Sequence, residues 1–134
     1  IVLMDVVEAI NLLKKYNLYD EAEAECRRRK IDKVPYDMQG HHEVYCIYLS
    51  KKRIELRDKK SGLQKVKCKE WDNIPEEKKP AHDDCMFVEM SLRNECCSKC
   101  EYYKTIEKLQ GEMETLTDAE KCLKAAADHD DTWR

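Results

Sequence analysis

The chain has 134 residues and a mass of 15.9 kDa, enough for one compact domain with a modest core and too little for most two-domain enzymes. Charged residues make up 40% of it, yet 25 Lys and Arg stand against 28 Asp and Glu, and the near-cancellation argues against an electrostatic drive toward nucleic acid or an anionic membrane. Three Gly and three Pro are too few for a sandwich or barrel of many short strands, and no apolar run approaches the roughly 18 residues a bilayer span requires, so the expected class is a soluble, all-α protein.

In chain order, Leu3, Val6, Val7, Ile10 and Leu13 recur at the spacing of one helical face and predict an amphipathic helix over about residues 2–16. Its segment "IVLMDVVEAINLLKKY" carries Asp5 and Glu8 inside the apolar pattern, unlike the core of a signal peptide, so any leader is expected to have been removed already. After "NLYD", Asp20 is the expected N-cap of a second helix, "EAEAECRRRK", acidic at its start and basic at its end as the helix dipole favours. That helix carries Cys26. "KVPYDMQG" reads as a loop with Pro35 and Gly40 as punctuation.

A third helix, "HHEVYCIYLSKKRIELRDKK", places Cys46, Leu49, Arg53 and Leu56 on one stripe, with Tyr45 and Tyr48 beside it. His41 and His42 at its start point apart and are expected to be solvated. "LQKVKCKEW" fits either a short strand or a helical turn, and "DNIPEEKK" reads as a central linker. Pro80 suits the first turn of a long helix whose apolar stripe runs through Cys85, Val88, Leu92, Cys96, Tyr103, Ile106, Leu109 and Met113, with a possible break at the cysteines of "RNECCSKC". Thr117 and Glu120 match a capping box that would start a last helix containing Cys122.

Eight cysteines in so polar a chain read as a disulfide framework in an oxidising compartment, and the protein is therefore expected to be secreted and extracellular. The expected disulfide residues are Cys26, Cys46, Cys68, Cys85, Cys96, Cys97, Cys100 and Cys122. They repeat: Cys46 and Tyr48 are followed by Cys68, 22 positions after Cys46, and Cys100 and Tyr102 by Cys122, 22 positions after Cys100. The match extends upstream to Cys26 and Cys85 and defines two related helical repeats, 18–73 and 74–134, within a single domain. A helix pair of this size buries too little apolar surface to stand alone, and a disulfide closing a loop of this length contributes roughly 3 kcal/mol in the chain-entropy model. Tyr48 and Tyr102 would each set an amphipathic ring beside such a clip.

The order Cys46, Tyr48, Cys68 and Cys100, Tyr102, Cys122 resembles the bicycle proteins, secreted effectors of gall-forming aphids named for two cysteine-tyrosine-cysteine motifs. The resemblance covers about residues 26–122. It implies a protein delivered into plant tissue that acts on a host, with no catalytic residues to carry over. Cys96 and Cys97 fall outside the paired pattern.

Three other chemistries compete. His82-x-x-Cys85 and Cys97-x-x-Cys100 offer zinc four ligands, but on a stretch that reads as helix instead of a converging knuckle. Cys97-Ser-Lys-Cys100 lacks the strand that normally leads into a catalytic dithiol. A carrier of small apolar ligands could use Met4, Met86, Phe87 and Met90 to enclose a cavity, although the cysteine intervals do not follow the insect odorant-binding pattern. No nucleophile, base and orienting group assemble into an active site. The expected function is binding of a protein partner through the surface, as an effector or toxin-like molecule does, without catalysis, cofactor or nucleic acid.

Overall fold

The computed structural model describes the backbone of residues 4–31 and 38–133, and the side chains of these apart from 38, 39 and 122–133. The expected loop at Pro35 and the side chain of Cys122 lie outside the described residues. Among the described residues five α-helices follow in order: α1 (Val6–Lys15), α2 (Tyr19–Arg28), α3 (Met38–Gln64), α4 (Cys85–Leu92) and α5 (Glu101–Trp133). The described residues hold no strand, only an isolated antiparallel bridge between Lys67 and Asp84, so the chain is all-α. None of their helices is long and apolar enough to cross a membrane.

The chain folds as two compact units, one of residues 1–54 with 114–134, the other of residues 55–113. The sequence repeats at 18–73 and 74–134 would instead be consecutive. The two Cys-x-Tyr motifs also differ locally, for Cys46 lies inside α3 whereas Cys100 precedes α5.

In the first unit, Asp5 caps α1 by accepting a hydrogen bond from the Glu8 N–H at 2.8 Å. Both α1 and α2 end in paired backbone bonds, Leu18 to Leu13 with Asn17 to Lys14, and Ile31 to Cys26 with Lys30 to Arg27. This Schellman arrangement requires a left-handed residue, which here is Asn17 and Lys30, each at φ 58°, where glycine is usual. Asp20 is not the α2 cap: the helix begins one residue earlier, at Tyr19, and Asp20 falls in its first turn. Met4, Ala9, Leu13, Ala22, Cys26, Val44, Tyr45, Cys46, Leu49, Leu116 and Ala119 are the buried apolar residues of this unit among those described. The close seat of α3 depends on Gly40, where a Cβ would stand 3.2 Å from the Ile31 side chain.

His41, expected to be solvated, is buried, and so is Glu23, because helical spacing turns Glu23 inward with Cys26 and His41 inward with Tyr45. The Tyr45 hydroxyl donates to Glu23 Oε1, and His41 Nδ1 lies 3.5 Å from the Tyr45 phenolic oxygen. Since the one phenolic proton goes to Glu23, His41 can meet the phenolic oxygen only as a donor, and its buried Nε2 has no hydrogen-bond partner among the described residues. Thr117 and Glu120 start no helix, for α5 runs through them, and they receive Arg53 instead, Nε to Thr117 at 3.3 Å and Nη1 to Glu120 at 2.8 Å.

In the second unit the expected linker is part of the core. 3₁₀ turns at Trp71–Asn73 and Glu76–Lys78 tuck Ile74 to 3% exposure, among Val88, Leu92 and Tyr103. The helical stretch expected from Pro80 starts only at Cys85 and divides at the cysteine cluster, where the sequence allowed a break: α4 ends at Leu92, a 3₁₀ turn follows at Cys97–Lys99, and α5 starts at Glu101. Tyr103, Ile106, Leu109 and Met113 keep the helical stripe of the sequence and face the interior.

Candidate functional site

Sulfur is concentrated in the second unit. α3 ends at Gln64, and the Lys67–Asp84 bridge fixes the next segment, with the Cys68 N–H donating to Asp83 O at 2.7 Å and the Cys85 N–H to Val66 O at 2.9 Å. This holds Cys68 beside the start of α4, whose inner face is Cys85, Val88 and Leu92 at i, i+3 and i+7. Beyond Leu92 the backbone turns back, Cys97 opens the 3₁₀ turn, and the Cys100 N–H donates to Cys97 O at 3.1 Å.

Cys68, Cys85, Cys96, Cys97 and Cys100 thus line one cavity of about 10 Å³, together with Tyr102 and Tyr103. That volume is the space of about one water. Four of the five sulfur residues are buried, and Cys96 is partly exposed.

Burial dominates their electrostatics. It pushes the Cys85 thiol up from 9.0 to about 11 and the Cys97 thiol up to about 12, and the neighbouring cysteines add to the effect in each case. Cys68 is raised as well, first by burial. Burial beside other cysteines thus favours the protonated thiol at Cys68, Cys85 and Cys97, the opposite of what a nucleophilic thiol needs.

The motif tyrosines are both half-buried. Tyr102 packs against the nest and donates its hydroxyl to Leu63 O at 3.0 Å, with the Lys69 ammonium 5.0 Å from its ring centroid. Tyr48 lies in the first unit with Lys51 5.3 Å from its ring. Cys26 and Cys46 are buried there too, on the helices that the Glu23–Tyr45 bond joins.

Of the zinc set, Cys85, Cys97 and Cys100 belong to the nest, but His82 is exposed and lays its ring against Phe87, with centroids 4.9 Å apart. Among the described residues no group of three or more His, Cys, Asp or Glu side chains is arranged to hold a metal ion. Of the carrier set, Met86, Phe87 and Met90 stand exposed on α4, and Met4 is buried beside an open groove of about 380 Å³ with Glu8, Asn11, Thr115 and Asp118 on its walls. Sequence reasoning missed the buried Glu23–Tyr45–His41 group, whose one signal was the i, i+4 spacing of His41 and Tyr45.

No protein-family model matches the chain, and neither a curated protein nor a solved structure does.

Proposed function

We propose that the chain is a secreted, disulfide-stapled helical protein that acts by binding a partner protein through its surface, without catalysis. The observation that carries this reading is the cysteine nest. Five sulfurs share a cavity with room for one water, and burial raises the thiols of Cys68, Cys85 and Cys97 among them. Cysteines so placed are suited to staple a small core, and disulfides persist in secreted chains. The order of Cys46, Tyr48, Cys68 and Cys100, Tyr102, Cys122 supports an effector of the bicycle kind acting in a host.

The test is the intact mass of the protein, produced through an oxidising secretory route, after alkylation in denaturant with and without prior reduction. At least six of the eight cysteines are expected to resist alkylation until reduced. Eight freely alkylated thiols would overturn the stapled, secreted reading.

A further inference from the structure

The number of cysteines in the nest is odd. Five sulfurs can close at most two disulfides among themselves, so one must be left, and burial singles it out. Cys68 and Cys100 are 8% exposed and Cys85 and Cys97 are 4% exposed, whereas Cys96 is only partly buried at the edge of the core.

The register of the backbone bridge then narrows the pairing. Lys67 and Asp84 face each other, and the flanking hydrogen bonds set Cys68 opposite Asp83 and Cys85 opposite Val66. Cys68 and Cys85 therefore point to the same side but stand on a diagonal. Diagonal neighbours in an antiparallel pair are about 7–8 Å apart, whereas the Cα atoms of a disulfide usually stand within about 6.8 Å of each other. Four cysteines allow three connectivities, and setting aside Cys68–Cys85 also sets aside Cys97–Cys100, its complement.

We propose that Cys68 and Cys85 each pair with one residue of the turn at Cys97 and Cys100, and that Cys96 is left as an accessible thiol open to exchange with small-molecule disulfides. This rests on the stapled reading above and adds the connectivity and the modifiable residue. In each closure two thiols give up two protons and two electrons, and a small disulfide such as glutathione disulfide is reduced to two thiols. At Cys96 the thiolate attacks one sulfur of the external disulfide. A mixed disulfide forms, and the other half leaves as a thiolate that takes up the proton.

The full chain carries its own map, because tryptic cleavage separates Cys68 on 68–69, Cys85 on 79–93, Cys96 with Cys97 on 94–99, and Cys100 on 100–104. Protein oxidised in a glutathione buffer is quenched with N-ethylmaleimide at low pH and digested without reduction. The expected peptide 94–99 bears one maleimide or one glutathionyl group on Cys96 and one link from Cys97 to 68–69 or 79–93, with Cys100 linked to the other.

A link between 68–69 and 79–93, a Cys97–Cys100 bond, or Cys96 bonded to any other cysteine of the chain would overturn the assignment while leaving the stapled reading in place. Maleimide on all five cysteines would overturn that reading itself. Cys96→Ser should abolish the glutathionyl adduct and keep both disulfides. An adduct that persists in this variant at another residue of the nest would refute the role given to Cys96.

Discussion

Replacing Tyr45 by Phe removes one oxygen from a buried polar contact of the first unit. The ring is 1% exposed and keeps its neighbours, with Tyr19 at 6.1 Å and His41 at 5.9 Å between centroids, so the packing term should hardly change. What is lost is the hydroxyl's bond to Glu23, a side chain only 6% exposed. A hydrogen bond to a charged partner contributes about 1.5–3 kcal/mol, and a carboxylate left short of a donor in the interior keeps its desolvation cost. The contact at 3.5 Å to His41 is too long to add much. Tyr45→Phe should therefore cost about 2–3 kcal/mol, which at a urea dependence of about 2 kcal/mol/M is a fall of roughly 1 M in the midpoint followed by circular dichroism.

A pH arm checks the same contact. Burial, then the bond to Glu23, raises the Tyr45 phenol well above its ordinary value of 10.0. Folding thus favours the protonated phenol. Its contribution is fully present below about pH 10 and is lost as the pH rises beyond that, and the variant should show a shallower alkaline decline. A variant within about 0.5 kcal/mol of the parent at pH 7, with an unchanged alkaline slope, would refute the buried Glu23–Tyr45 bond.

The nest makes its own alkaline prediction. With Cys85 raised to about 11 and Cys97 to about 12, the reduced protein should lose stability from about pH 9 upward, because the unfolded chain ionises these thiols first. The oxidised protein, whose bonded sulfurs carry no proton, should not show that part of the decline, and equal slopes for the two forms in urea titrations between pH 8 and 10 would contradict it. Lys30→Gly relieves a left-handed residue at the end of α2 and should raise stability by about 1 kcal/mol in the same titrations. Ile106→Ala, at 1% exposure on α5, should cost about 2–5 kcal/mol, whereas Met90→Ala, with Met90 79% exposed on α4, should stay within about 0.5 kcal/mol.

The sequence by itself determined the helical class and much of which face of each helix turns inward. Leu13, Leu49, Leu56, Val88, Leu92, Ile106 and Leu109 fall on apolar stripes of helical period, and all are buried. That information is local, because a helix repeats every 3.6 residues and a stripe on it must be covered by something. What covers it is not local. Thr117 and Glu120 have the spacing of a capping box, yet the helix passes through them and their side chains accept from Arg53 on α3. "DNIPEEKK" has the composition of a linker, yet Ile74 is drawn into the core with Val88 and Leu92.

The gathering of five cysteines belongs wholly to the tertiary structure. Nothing near Cys68 in sequence indicates that it meets the cysteines of "HDDC" and "RNECCSKC". That meeting is set by two backbone hydrogen bonds across the Lys67–Asp84 bridge and by the turn between α4 and α5, which returns Cys97 and Cys100 to the side of Cys85. The chain spells out how many sulfurs it has. Only the register of that bridge and the angle of that turn decide which of them can reach one another.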